Sequence, residues 1–97
     1  MIGMSYVKRY GEDVLADYEI EAIDLFRERV ELETGAHDVE ETYCQTQDRR
    51  DGLWLIVWAF NRRGEHVGEQ SFELVPDRVS AAGVVSYQLG GDSCFSL

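Results

Sequence analysis

The sequence is short of bases. Lys8 is its one lysine, and with eight arginines it makes nine positive side chains against nineteen acids, for a formal net charge of −10. Proteins that grip a nucleic-acid backbone need Lys and Arg to neutralise phosphates, so direct binding of DNA or RNA is not expected. A small acidic protein instead suits a basic partner, a cationic ligand, or plain solubility through self-repulsion.

Proline is nearly missing. Pro76 stands alone, and neither a low-complexity stretch nor an internal repeat divides the 97 residues. Residues 1–97 therefore read as a single α+β domain, long enough for one core and too short for a deep cleft between subdomains. Long apolar runs are absent too. No stretch approaches a membrane span, and Met1 to Tyr10 lacks the apolar run of a secretory signal, so a cytoplasmic location is expected with no membrane partner. Two cysteines, Cys44 and Cys94, are too few for a disulfide framework. They are expected to be reduced thiols acting as small buried hydrophobes, with a bridge open to them only if their strands are neighbours.

Signatures of catalysis are also missing. The chain has no P-loop, G-x-G-x-x-G, H-E-x-x-H, EF-hand loop or G-x-S-x-G elbow. Gly91-Asp92-Ser93-Cys94 does not replace the elbow, because a loose tail cannot hold a nucleophile near a base. His37, beside Asp38, Glu40 and Glu41, is the one neighbourhood where a divalent ion is conceivable, but in a strand these ligands alternate between faces. The expectation is an exposed turn, with no metal and no cofactor. His66, after a hairpin turn, reads as a solvated residue. Nothing picks one carboxyl out of nineteen for general acid–base work, so enzyme activity is left open and unsupported.

Patterning supplies the fold. Residues from about Asp13 to Thr34 read as a long amphipathic helix with Leu15, Tyr18, Ala22, Leu25, Phe26 and Val30 on one side, Ile23 at the margin, and Gly35 as its C-terminal cap. Ser5 to Tyr10 reads as a short strand before it. Val39–Thr46, Leu53–Phe60, His66–Val75 and Val84–Leu89 follow as strands. Asp48–Gly52 and Asn61–Gly64 are the turns between the first three, the second with a positive φ at Gly64; Pro76 and Asp77 end that meander, and Gly90-Gly91 closes the fourth strand before a loosely held tail. The expected fold is α+β, with the helix packed on an antiparallel β-meander of three to five strands. That order of elements is similar to a cystatin-type arrangement, a resemblance of fold alone.

Two surfaces stand out. Asp17, Glu21, Asp24, Glu28 and Glu31 follow one another at steps of four, three, four and three residues, which sets five acids along one helix face. Such a row can imitate a phosphate backbone, or be no more than a solvated face; Arg27 with Glu31 and Arg29 with Glu33 are possible i,i+4 pairs. The strand Leu53–Phe60 is apolar on both sides: Leu53, Leu55, Val57 and Ala59 alternate with Trp54, Ile56, Trp58 and Phe60. One helix covers one side, so Trp54 and Trp58 need shelter from the chain termini, a second copy in a homodimer, or a partner. The Arg49-Arg50 and Arg62-Arg63 turns read as solvated.

These features favour a non-enzymatic module, an inhibitor or accessory factor, that occupies a basic partner through Asp17, Glu21, Asp24, Glu28, Glu31, Trp54 and Trp58. In size and charge alone the chain is similar to phage anti-CRISPR and antirestriction proteins and to bacterial immunity proteins. The alternatives are a small-ligand domain or enzyme with a pocket between helix and sheet lined by Tyr18, Trp54 or Trp58, and a protein whose acids serve solubility in a salty cell.

Overall fold

The computed structural model describes the backbone of residues 6–9 and, with their side chains, residues 15–35, 39 and 41–97. In chain order the elements are β1 (Tyr6–Arg9), α1 (Asp17–Thr34), β2 (Glu41–Arg49), β3 (Gly52–Phe60), β4 (His66–Val79) and β5 (Val85–Ser96). The strands lie side by side in that same order. β2 to β5 form an antiparallel meander on which α1 packs, so the α+β class follows directly.

β1 departs from an all-antiparallel sheet. It pairs with β2 in parallel, with Tyr6 beside Glu41 and Arg9 beside Cys44. A parallel pair needs a crossover of a dozen or more residues, and α1 is that crossover. The helix is therefore both the cover of the sheet and the return path between its first two strands.

α1 is shorter than expected, at 18 residues. Leu15 and Ala16 are not helical, and residues 13 and 14 lie outside the described part. Ala16 is extended (φ −78°, ψ 160°) and donates its N–H to Glu19 Oε1 at 2.7 Å, which starts the helix at Asp17. At the other end Gly35 takes the expected left-handed cap at φ 71°, its N–H donated to Glu31 O at 2.8 Å.

The division of α1 into an apolar and a polar side is also less clean than the periodicity implied. Ala22, Ile23, Phe26 and Val30 are buried against Leu55, Val57, Ala59, Phe72 and Leu74, with Leu15 and Tyr18 partly buried beside them. Leu25, expected in the stripe, is 43% exposed, whereas Ile23, expected at its margin, is 3% exposed. At 100° per residue Leu25 sits about 100° around the helix from Phe26 and Ile23 only about 60°, so Ile23 falls within the buried arc. Near the middle of the buried arc lies a carboxylate, Glu19, fully enclosed.

The sheet carries the remaining corrections. β2 and β3 run up to a two-residue turn, Arg50-Asp51, because Arg49 pairs with Gly52. The Asn61–Gly64 turn is as expected, with Gly64 at φ 79° and Asn61 Oδ1 accepting from the N–H groups of Arg63 and Glu65 at 2.9 Å each. Gly68, Gln70, Phe72 and Leu74 do share the helix-facing side of β4, and all are buried. Gly68 stands at a register irregularity with φ 149°, and a Cβ there would meet Ser96 O at 3.3 Å. Pro76 does not end β4, which continues to Val79. β3 has no residue left to pair at that level, so the donor missing from Pro76 leaves no gap on that edge. Nor is the C-terminal segment a tail: β5 runs from Val85 to Ser96, and Gly90 to Asp92 form a bulge, not an end. Beyond the bulge Phe95 returns to the core, its ring 6.3 Å from that of Phe26.

Packing at Phe26 and the exposure of Leu25 give opposite expectations for neighbouring residues. Phe26→Ala is expected to cost about 3–5 kcal/mol and Leu25→Ala less than about 1 kcal/mol, read as midpoint shifts in urea unfolding. Equal losses would contradict this placement of the helix.

Candidate binding surfaces

The five acids of the helix row keep together. Asp17, Glu21, Asp24, Glu28 and Glu31 are all exposed, and helical geometry sets each within about 40° of the direction opposite Phe26. From Asp17 to Glu31 the row is about 21 Å long at 1.5 Å per residue. Arg29 pairs with Glu33 as expected, Nε to Oε2 at 3.0 Å. The Arg29 guanidinium also lies 4.8 Å from the centre of the Phe95 ring, so it is drawn towards β5 and away from the acidic row.

One flank of this row is apolar. Leu25 and Leu32, 43% and 77% exposed, edge a groove of about 440 Å³ between α1 and the bulge of β5, with Phe72, Leu89 and Gln70 on its sheet side and Glu21 and Glu28 on its rim. Gln70 is buried; its Nε2 reaches Ser93 Oγ at 3.5 Å while Oε1 accepts no hydrogen bond. A second groove, of about 750 Å³ near the start of α1, is lined by Tyr18, whose ring meets Tyr87 edge-on at 5.9 Å, and by Leu15 and Val85. Tyr18 thus borders a groove as expected, but Trp54 and Trp58 do not: they lie on the other side of the sheet, since Leu55, Val57 and Ala59 occupy the helix-facing side of β3.

The outer face of the sheet is aromatic. Trp54, Ile56, Trp58 and Phe60 are half-buried. Tyr43 stacks on Trp58 at 5.8 Å with 20° between the rings and meets Phe60 edge-on at 6.0 Å, and His66, exposed, meets Phe60 edge-on at 5.8 Å. Tyr43 Oη donates to Glu41 Oε2 at 2.8 Å. The C-terminal residues do not shelter this face, because they are committed to pairing with β4 in the plane of the sheet.

Arg49 is exposed, as expected, but it is the last residue of β2 and its side chain is held in place. Its guanidinium carbon lies 5.1 Å from the centre of the Trp54 ring, with Nε donating to Gln47 Oε1 at 2.7 Å and Nη2 to Ser71 Oγ at 3.3 Å. Trp54 Nε1 donates in turn to Asp51 Oδ1 at 3.1 Å. The signal for this was present in the alternation of β2: Gln47 and Arg49 share a face, and the tight turn sets that face beside Trp54.

The acidic row and the aromatic face therefore lie on opposite sides of the molecule, one outside the helix and one outside the sheet. They cannot meet a single flat partner surface together.

Buried chemistry is sparse. Cys44 Sγ lies 3.8 Å from Glu19 Oε2 within the core. Cys44 is buried as expected, but Cys94 is exposed, and both are free thiols. They sit on β2 and β5 with two strands between them, so the possible bridge does not form. Among the described residues no three His, Cys, Asp or Glu side chains converge, and no helix is long and apolar enough to cross a membrane. His37, Asp38 and Glu40 lie outside the described residues.

No protein-family model matches the chain, no curated protein matches its sequence, and no solved structure matches its fold.

The difference between the two cysteines is directly measurable. A thiol reagent should label one cysteine promptly in the native protein and the second only on unfolding, with mass mapping placing the fast label on Cys94. Prompt labelling of Cys44 would contradict its enclosure beside Glu19.

Proposed function

We propose that the protein is a non-catalytic binding module whose acidic helix face occupies a basic surface of a partner protein. The reading rests on one observation above the others: Asp17, Glu21, Asp24, Glu28 and Glu31 stand exposed on one side of α1, on a chain of net charge −10. Like charges at these spacings each cost the helix a few tenths of a kcal/mol, so the row is kept against its own repulsion. Regularly spaced carboxylates can stand in for phosphates in a groove built for nucleic acid, and exposed Leu25 and Leu32 beside them offer the apolar contact that a purely electrostatic surface lacks. This is the manner of an inhibitor or accessory factor of the anti-CRISPR, antirestriction or immunity-protein kind.

A second reading, a small-ligand domain, draws on the α1–β5 groove, where the buried Gln70 Oε1 has no hydrogen-bond donor. Two of the groove's lining residues, Leu25 and Leu32, are exposed, which suits a partner's side chains better than an enclosed ligand. Homodimerisation through the Trp54 and Trp58 face is a separate possibility, opposed by the repulsion of two acidic copies.

Charge reversal of Glu21, Asp24 and Glu28 to lysine is the decisive change. The unaltered protein should retain a basic nucleic-acid-handling protein from native lysate at low salt, lose it at high salt, and release it to added duplex DNA. The triple variant should bind that same purified protein at least roughly tenfold more weakly. Undiminished binding by the variant would end the proposal.

A further inference from the structure

Two cross-strand rows on the outer face of the sheet share one plan. Gln47, Trp54 and Glu73 are direct neighbours across β2, β3 and β4; four residues further along β3, so are Tyr43, Trp58 and Glu69. The rows are about 13 Å apart at the rise of a β-strand. In the first, the chain supplies its own cation: the Arg49 guanidinium covers Trp54 at 5.1 Å and is fixed there by Gln47 and Ser71.

In the second row the place corresponding to Arg49, two residues along β2 from the strand neighbour of the tryptophan, belongs to Gln45, which carries no charge. Among the described residues no cation lies over Trp58. Its ring is only half-buried, and Tyr43, on β2, stacks against one side of it. The other side of the indole therefore turns towards β4, where the strand neighbour of Trp58 is Glu69, exposed. Cross-strand neighbours stand about 5 Å apart at Cβ. A planar cation laid from solvent on the uncovered part of the indole would have the exposed Glu69 carboxylate within reach of its edge.

We propose that Trp58 and Glu69 form a receptor position for an arginine side chain of a basic partner protein, repeating between molecules what Arg49 does on Trp54 within this one. Arginine suits the position better than lysine, because a flat guanidinium stacks on an aromatic face while still presenting N–H groups to a carboxylate in its own plane. The charge of the chain selects the kind of occupant. A second copy would bring −10 to meet −10, whereas a basic protein brings attraction to Glu69 and Glu73 on this face. The position lies across the sheet from the acidic helix row and stands independently of it.

The test uses hexa-arginine and hexa-lysine peptides as probes of the intact protein, with the indole N–H resonances of the two tryptophans followed by NMR. Hexa-arginine is expected to bind about three- to fivefold more tightly than hexa-lysine and to shift the Trp58 signal more than that of Trp54. Glu69→Gln, which keeps the side chain's size, and Trp58→Leu should each remove most of that preference, with the Trp54 resonance reporting that the fold is retained. Reversing Glu21, Asp24 and Glu28 should weaken both peptides in parallel and leave the preference intact, which separates this surface from the helix row. Equal affinity for the two peptides would overturn the proposal, as would a preference that survives both sheet variants. A Trp58 signal that moves with protein concentration alone, at twice the monomer mass, would assign the face to a second copy instead.

Discussion

β3 is apolar on both faces, and the rest of the structure answers to that constraint. Leu55, Val57 and Ala59 are wholly enclosed under α1. Trp54, Ile56, Trp58 and Phe60 point the other way and are covered only in part, by one another, by Tyr43 and by the aliphatic and planar parts of Arg49. A strand placed third of five must satisfy neighbours on both edges as well, so it is constrained on every side. Each side of the molecule inherits its character from that strand. The helix side is an enclosed core with a charged outer wall, and the sheet side is a half-exposed aromatic surface.

The helix carries two duties that pull against each other. As the crossover between parallel β1 and β2 it must span the sheet, and as the cover of β3 it must present a continuous apolar arc. Glu19 breaks that arc at its centre, yet its carboxylate takes the Ala16 N–H that would otherwise be left unpaired where the helix begins. A buried carboxylate with such a partner fixes where the first turn can start, which accounts for a helix that begins at Asp17 and not four residues earlier. The opposite wall, free of packing demands, is where five acids could gather at little structural cost.

Separation of the two surfaces bears on how a partner would be held. The acidic row attracts at a distance and is screened by salt. The aromatic face acts on contact, through stacking and exclusion of water. Because the sheet stands between them, a partner would use one, wrap the edge of the molecule, or leave the other to a second protein.

The elements themselves were legible in the residues: the β1 segment, the helix with its Gly35 cap, the Gly64 hairpin, and the buried face of β4 at Gly68, Gln70, Phe72 and Leu74. Local periodicity and backbone preference govern such features, so they need no knowledge of neighbours. What the chain alone concealed depends on contacts distant in sequence. The parallel pairing of β1 follows from where the helix delivers the chain. The continuation of β4 through Pro76 follows from β3 having ended, and the strand in the C-terminal residues follows from a bulge that carries Phe95 back to Phe26. In the same way, five acids in a row are a property of the sequence, but their exposure opposite the core, and the sheet that divides them from Trp54 and Trp58, come only from the packing of α1 on β3. A side chain's spacing is set by the backbone beneath it; its surroundings are set by whatever the rest of the chain brings alongside.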